Sequence, residues 1–240
     1  MRALERAAIE SGAVTGLQLM ERAGRSARDA IFERWPELEA GSRRAVVLCG
    51  PGNNGGDGFV ISRLLKQDGW DVAVFFYGDE TRLPPDARRN LEAWCDLGSL
   101  HALGFPVASA SALETFERYA SHMLDCQTGT HADTAFPAIL LIDALFGIGL
   151  SRPIAGLDAL TEHWDYLMNF RDLNATRVLA IDVPSGLDAD TGAQVGDPAQ
   201  APFGVLAADI TVTFHAPKPG HLTGPAHHLC GDVIVKDIGL

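Results

Sequence analysis

Cysteine is scarce in this chain of 240 residues, which contains only Cys49, Cys95, Cys126 and Cys230. No two of them have the C-x-x-C spacing that is typical of a pair of zinc ligands or a redox motif. Cysteines scattered in this way also argue against a disulfide framework. We therefore expect four reduced thiols and no structural zinc site.

Positive charge is also in short supply. Lys and Arg number 19 against 31 Asp and Glu, which gives a formal net charge of −12 and a pI near 5.0. A nucleic-acid-binding surface needs a basic face or stripe, so this balance argues against nucleic acid as a partner. No charged and then apolar leader opens the chain, and no apolar run approaches the roughly 20 residues that cross a bilayer. The composition predicts an acidic cytoplasmic protein with no nucleic-acid or membrane partner.

Two common phosphate-binding motifs are missing. The chain has no G-x-x-x-x-G-K-[ST] sequence, which argues against a Walker-type nucleotide hydrolase. The glycines of residues 50–58 do not fall in the G-x-G-x-x-G register either. A nicotinamide-dependent oxidoreductase would need that turn and an acidic residue about twenty positions further on. Both classes are therefore disfavoured.

The most distinctive stretch spans residues 45–69 and reads AVVLCGPGNNGGDGFVISRLLKQDG. Residues 45–49 have the length and apolar character of a strand buried on both faces, and residues 59–67 have the apolar spacing of a helix. The glycine-rich loop predicted between them contains residues 53–57, whose oxygens suit a hard cation or hydroxyl groups as well as an anion. We expect Asp57 to accept a hydrogen bond from the first amides of the helix. The plain alternative is a tight turn with an aspartate cap.

Short apolar segments alternate with helical ones along the chain. Residues 1–9 predict a short amphipathic helix, and Thr15 with Gln18 has the pattern of a capping box that opens a longer helix ending before Pro36. Strands are predicted at residues 72–77, 138–142, 178–181, 209–214 and 233–235, with a weak strand around 106–108. Helices are predicted at residues 85–97, 112–124 and 157–171, with a polar loop at 127–134. This alternation is typical of an α/β fold with a mostly parallel sheet, and the length favours one domain over residues 1–240.

Polar groups follow several of these strands. Asp143 comes after residues 138–142, Asp182 comes after residues 178–181, and Lys218 lies in the turn that follows residues 209–214. Because ligands bind at the carboxyl ends of parallel strands, we expect these groups to share one rim with the glycine-rich loop. Simpler interpretations exist for single residues: Asp143 and Asp182 as caps of the turns that follow them, Ser185 as part of an ST-turn, and Arg152 as a solvated charge.

Five long blocks carry the most specific signal. They are LMERAG at residues 19–24, GPGNNGGDG at 50–58, DALFGIGLSRPI at 143–154, AIDVPSGLDADTG at 180–192, and ADITVTF with a later KPG at 208–220. In content and order these blocks resemble the YjeF N-terminal domain family, whose enzymatic members are NAD(P)H-hydrate epimerases. The resemblance covers nearly the whole chain. It implies a Rossmann-like three-layer α/β/α sandwich, in agreement with the strand alternation.

The resemblance also implies an activity. The substrate would be the hydrated form of reduced NAD or NADP (NADHX or NADPHX), whose two epimers the enzyme interconverts without redox change. The expected partner is an ADP- or ATP-dependent dehydratase, fused or separate, and a homodimer is common in the family. Whether this chain is a whole protein or the front half of a bifunctional one stays open. The alternative is a non-catalytic nucleotide-binding or scaffold module of the same fold.

Residue roles follow from the same resemblance. The family's potassium ligands correspond to Asn54, Asp143 and Ser185, so K+ is the expected cofactor. Asp182 is our hypothesis for the catalytic group, as a carboxyl that both donates and accepts a proton. The substrate-binding positions correspond to Asn53, Asn54, Gly55, Gly56, Asp57, Gly147, Ile148, Gly149, Leu150, Ser151, Arg152, Pro153 and Asp182.

Other polar residues receive no role from the sequence. Asp188 and Lys218 are placed to reach the rim, and His215 and His221 flank the Lys218 turn. The pair His227–His228 lies near Cys230, but no further ligand follows at a spacing that suits zinc. We therefore do not predict a metal site there.

Overall fold

The protein is described by a computed structural model that covers residues 2–39, 43–104, 107–120, 138–169, 176–197, 204–223 and 226–240. Within these ranges seven strands form one sheet in the order β3-β2-β1-β4-β5-β6-β7. Every neighbouring pair among them is parallel. The strands are β1 (Arg43–Cys49), β2 (Asp71–Phe76), β3 (Leu100–Ala102), β4 (Ala138–Ala144), β5 (Thr176–Ile181), β6 (Ile210–Phe214) and β7 (Asp232–Lys236).

Helices cover both faces of this sheet. They are α1 (Arg2–Glu10), α2 (Gly16–Arg34), α3 (Asn53–Gln67), α4 (Pro85–Cys95), α5 (Ala110–Ala120), α6 (Asp158–Asn169) and α7 (Ala226–Cys230). Alternate residues of one strand face opposite layers, so that Val47 packs with the α2, α3 and α4 side while Val46 and Leu48 pack with the α5 and α6 side. The α/β fold predicted as a three-layer sandwich with a parallel sheet is confirmed. Of the helices in the described ranges, none combines the length and apolar character that a bilayer crossing requires.

Several local predictions are confirmed. The Thr15 hydroxyl accepts a hydrogen bond from the Gln18 N–H at 3.2 Å, and the Gln18 side chain accepts one from the Thr15 N–H at 2.9 Å. This capping box begins α2, and α2 ends at Arg34, just before Trp35 and Pro36. The short N-terminal helix is also present as α1.

The predicted start of the helix after β1 is wrong. This helix begins at Asn53 and not at residue 59, so residues 53–57 form the beginning of the helix and not a loop. The N-cap residue is Gly52, which has no side chain to cap the helix, and Asp57 lies inside the helix, so it does not have the predicted capping role. The glycines that suggested a loop are needed for packing, since a Cβ on Gly55 would lie 2.0 Å from the carbonyl oxygen of Gly50. Tertiary packing here outweighs the low helix propensity of glycine.

Other boundaries also differ from the predictions. The weak strand expected around 106–108 is absent from residues 107–108, and the edge strand is β3, at Leu100–Ala102. The β4 strand extends two residues further than predicted and includes Asp143. The predicted helix at 112–124 corresponds to α5 as far as Ala120. Residues 105–106 and 121–137, with the predicted polar loop at 127–134 and Cys126, lie outside the described residues, as does the predicted helix end at 171.

Close packing of α3 on the sheet fixes where its first turn lies. A Cβ on Gly58 would come within 2.7 Å of the Ala144 Cβ and 2.8 Å of the Cys49 Sγ. Since real Cβ atoms do not approach other atoms so closely, α3 rests on β1 and β4 only with glycine at this position.

Replacement of this glycine tests the packing. Gly58→Ala is expected to lower the free energy of unfolding by about 1–3 kcal/mol, because the added methyl group overpacks the contact between α3 and the sheet. The matched control is Gly204→Ala, where the nearest atom to a new Cβ would be the Thr161 Cγ2 at 3.7 Å. Chemical denaturation at 25 °C measures both. Equal stability of the two variants would contradict this account.

Candidate functional site

The carboxyl ends of β1, β4, β5 and β6 meet along one rim, where a cavity of about 490 Å³ opens. Its walls come from the first turn of α3, the loop after β4, the end of β5, the end of β6 and helix α1. The lining residues are Glu5, Arg6, Pro51, Gly52, Asn53, Asn54, Asp57, Leu145, Phe146, Gly147, Ile148, Gly149, Leu150, Asp182 and Phe214. The predicted meeting of these segments at one edge of the sheet is therefore present.

Asp143 and Ser185 are in direct contact beneath this rim. The Ser185 hydroxyl donates to Asp143 Oδ1 at 2.6 Å, and the Ser185 N–H donates to Asp143 Oδ2 at 2.7 Å. Neither residue has any solvent-exposed surface. Burial raises the pKa of Asp143 to about 6, although the hydrogen bonds from Ser185 and Leu145 oppose that shift.

The same hydroxyl also fixes the loop that follows β4. The Phe146 N–H donates to the Ser185 Oγ at 2.9 Å, and the Leu145 N–H donates to Asp143 Oδ1 at 3.1 Å. The loops after β4 and β5 are thus joined by hydrogen bonds between side chains and backbone. This connection holds residues 145–150 against the rim.

Gly147 lies between the side chains of Asn54 and Asp182. A Cβ at Gly147 would lie 2.8 Å from Asp182 Oδ2 and 3.0 Å from Asn54 Oδ1. The absence of a side chain at this point lets two polar groups from different loops approach the β4 loop. The Asn54 amide nitrogen is buried and has no hydrogen-bond partner among the described residues.

Asp182 is held by a buried network centred on Lys218. The Lys218 ammonium lies 2.8 Å from Asp182 Oδ1, and the two residues are 7% and 8% exposed. Thr213 accepts a hydrogen bond from Lys218 at 2.5 Å and donates one to Asp182 Oδ1 at 3.1 Å. The second carboxylate oxygen, Oδ2, accepts a hydrogen bond from the Ile148 N–H at 3.1 Å. The orientation of this carboxylate is therefore fixed by its neighbours.

The backbone of Asp182 is also constrained. Its φ of 69° lies in the left-handed region, which costs on the order of 1 kcal/mol for a residue other than glycine. The Asp182 N–H donates to the Val212 carbonyl at 2.8 Å, and His221 Nε2 lies 2.9 Å from the Asp182 carbonyl oxygen. His221 Nδ1 accepts from the Lys218 N–H at 3.2 Å, so the Nε2 atom carries the proton. Burial lowers the pKa of His221, which keeps the ring neutral at pH 7.

Asp57 is a second carboxyl group of the same cavity. It is the fifth residue of α3, just after the first turn, and is half-buried. Burial raises the pKa of Asp57 well above its ordinary value, and the charges of Asp182 and Glu5 raise it further.

Two further cavities adjoin the first. One of about 490 Å³ has mostly apolar walls, which include Tyr77, Phe146 and Pro153, and Arg152 reaches it. The other, of about 730 Å³, contains Ser151, Lys218 and, among others, Asp188 and His215. Both share Leu150 with the central cavity. Asp188 caps its own turn, since its Oδ1 accepts hydrogen bonds from Asp190 and Thr191.

Three residues of this site have no role predicted from the sequence. The sequence places Lys218 only near the rim, His221 only beside the Lys218 turn, and Thr213 only within a strand. The sequence pattern that marks these residues is a lysine and a histidine three positions apart in the turn after β6, with a threonine near the end of that strand. The pattern does not reveal that all three contact one aspartate.

A known protein-family model, described as YjeF-related protein N-terminus, matches residues 16–220 of this chain. This chain belongs to that family.

Relatives support the same assignment over the full length. A Roseobacter litoralis protein named NAD(P)H-hydrate epimerase is 43% identical over all of this chain and 96% of its own length, and one from Rhodobacter capsulatus with that name is 42% identical with the same coverage. A Coxiella burnetii relative, named as a bifunctional NAD(P)H-hydrate repair enzyme, is 34% identical, and this chain spans 40% of it. The solved structure of yeast YNL200c has a TM-score of 0.68 at 20% identity over 98% of this chain and 84% of that one, which supports the fold.

Removal of the Lys218 charge tests the buried network. Lys218→Gln is expected to lower the free energy of unfolding by about 3 kcal/mol, because it leaves the Asp182 carboxylate buried without a cation. The matched control is Lys236→Gln, which breaks the pair of Lys236 and Glu33 at 2.6 Å, where Glu33 is mostly exposed. That change is expected to cost under about 1 kcal/mol. Urea unfolding measures the free energy of unfolding of both variants. If Lys218→Gln loses no more stability than Lys236→Gln, the buried network is refuted.

Proposed function

We propose that this chain is an NAD(P)H-hydrate epimerase, which interconverts the two epimers of hydrated NADH and NADPH. The observation that carries the proposal is the 42–43% identity, over the whole chain, to relatives with that name. The site supports it, because a half-buried cavity with fixed carboxyl groups lies at the ligand-binding edge of the sheet.

The chemistry of such a substrate suits this cavity. The carbon that inverts carries both a hydroxyl group and the ring nitrogen, so the nitrogen lone pair expels the hydroxyl group and leaves a planar iminium ion. Water then adds to either face. Departure of the hydroxyl group needs a proton donor, and addition of water needs a proton acceptor. We assign Asp182 to proton transfer, because its carboxylate lines the cavity and its orientation is fixed by Lys218 and Ile148.

Substrate binding is assigned to the walls of the same cavity. Residues 53–57, residues 147–153 and Asp182 are the positions that we propose contact the substrate. Backbone N–H groups at the start of α3 favour an anionic group such as the pyrophosphate. The two adjoining cavities share Leu150 with the central one and extend the site, and Arg152 lines the apolar one.

We further propose that Asn54, Asp143 and Ser185 hold K+. The donor set fits a hard cation, since it offers amide, carboxylate and hydroxyl oxygens. Asp143 is fully buried, and within the described residues the donors that reach its carboxylate, from Leu145 and Ser185, are all neutral. When bound, K+ would offset the charge of Asp143 and link three segments of the rim: the start of α3, the end of β4 and the loop after β5.

The bifunctional Coxiella burnetii relative supports a dehydratase, fused or separate, as the enzyme that acts on the same metabolite. We propose a homodimer, a cytoplasmic location and a single domain over residues 1–240.

The direct test is a coupled assay. The protein is incubated with the epimer that a separate stereospecific dehydratase does not accept, and the return of reduced cofactor is followed by its absorbance. Acceleration over the control without protein supports the proposal. No acceleration would favour the alternative, a nucleotide-binding or scaffold module of the same fold.

Asp182→Asn tests the assigned proton-transfer group in this assay. The amide keeps the shape of the side chain but neither takes up nor releases a proton at neutral pH, so kcat is expected to fall at least about 100-fold. Asp165→Asn, on the distant helix α6, is the control and should keep full activity. Retention of most activity by Asp182→Asn would remove this residue from the mechanism.

Potassium binding predicts a salt-specific change in thermal stability. The melting temperature is expected to be a few degrees higher in KCl than in choline chloride at equal ionic strength, because an ion that binds only the folded state stabilises it. Asn54→Ala should lose that difference, while Lys236→Gln should keep it. Equal melting temperatures of the unmodified protein in both salts would contradict the potassium site.

A further inference from the structure

Three carboxyl groups, those of Glu5, Asp57 and Asp182, line the central cavity, and the last two follow different strands of the sheet. Asp57 belongs to the helix that follows β1, and Asp182 lies at the end of β5. In the sheet β4 lies between β1 and β5, and its loop places Gly147 beside Asp182. A ligand that rests on the β4 loop therefore has one carboxyl group on the β1 side and another on the β5 side.

The surroundings of these two groups are opposite in charge. Asp182 has the Lys218 ammonium 2.8 Å away and accepts hydrogen bonds from Thr213 and Ile148. For Asp57, the described residues provide neither an ion-pair partner nor a hydrogen bond to its carboxyl group. Its charged neighbours include Asp182 and Glu5, while Arg6 of α1 also lines the cavity.

These surroundings suit Asp182 to accept a proton and Asp57 to donate one. An ion pair contains the ionised carboxylate, which is able to accept a proton but has none to give. A half-buried carboxyl group that faces like charges is more stable in its protonated form. One site thus offers both protonation states at the same pH.

We propose that Asp57 is a second catalytic residue, which donates the proton to the departing hydroxyl group while Asp182 accepts the proton from the entering water. This inference rests on the epimerase function proposed above. It assigns Asp57 a chemical step beyond contact with the substrate.

The ring nitrogen lone pair forms the C=N bond as the C–O bond breaks, and the Asp57 proton moves to the leaving oxygen, so that water departs. Water then adds to the other face of the iminium ion and gives its proton to Asp182. The site is left with Asp57 ionised and Asp182 protonated, the form that converts the opposite epimer back. Exchange with solvent restores the first form.

The raised pKa of Asp57 agrees with this division of roles. Burial is the main cause, followed by the charges of Asp182 and Glu5. Because Asp57 has to be protonated in order to donate, the rate is expected to fall as the pH rises through its pKa. The charged groups that share the cavity with Asp57 are Glu5, Arg6 and Asp182, the last with Lys218 behind it.

Asp57→Asn is the central variant, with Asp57→Glu as its conservative partner and Asp165→Asn as the control. We expect Asp57→Asn to lower kcat at least about 100-fold, and Asp57→Glu to recover at least about tenfold of that loss. Affinity for NADPH, which has both nucleotides but no ring hydroxyl group, should stay within about threefold of the unmodified protein. The residual rate of Asp57→Asn should not fall at high pH. Intact mass spectrometry checks that the new amide before Gly58 has not deamidated.

Each result separates this inference from the proposed function. If the unmodified protein does not accelerate epimerisation, the proposed function fails. If it does, a loss below tenfold in Asp57→Asn overturns the inference alone. A loss of NADPH affinity as large as the loss of kcat also overturns it, since the residue would then serve binding only. If Asp57→Asn does not fold, the pH dependence of the epimerisation rate of the unmodified protein is the test. A rate that does not fall at high pH would overturn the inference, because Asp57 has to be protonated in order to donate.

Discussion

The site depends on the buried ion pair between Asp182 and Lys218. It joins the end of β5 to the turn after β6, and the neutral His221 ring holds both residues by their backbone. The unfavourable left-handed backbone of Asp182 persists because these contacts determine it. Loss of the lysine would leave the carboxylate buried without its cation and would release the strained residue, so the pair accounts for the position of the carboxylate.

A second set of contacts completes the rim without any charge pair. Asp143 and Ser185 join the loops after β4 and β5 by hydrogen bonds, and Gly147 leaves room for Asn54 and Asp182 to approach the β4 loop. Small residues at the crossing points and buried polar groups beneath them place four chain segments within one cavity. A sheet of parallel strands supplies this arrangement, because all of its carboxyl ends lie at one edge.

The sequence was most informative where one physical rule dominated. Buried parallel strands are continuous apolar runs, so β1 and β5 were readily predicted, and the capping box of Thr15 defined the start of α2. Residues 53–57 were predicted to be a loop, because glycine disfavours helices and the close contacts that require it are invisible in sequence. For the same reason Asp57 was expected to be a cap. The roles of Thr213, Lys218 and His221 depend on contacts between the ends of β5 and β6, which no local pattern specifies.

The central claim is that this rim breaks and reforms the bond between the ring carbon and its hydroxyl oxygen. The most direct measurement is to convert one pure epimer in water labelled with 18O and to determine the isotope in the opposite epimer by mass spectrometry. The account predicts one labelled oxygen for each inversion, because the original hydroxyl group departs as water. Inverted product that keeps its original oxygen would contradict it.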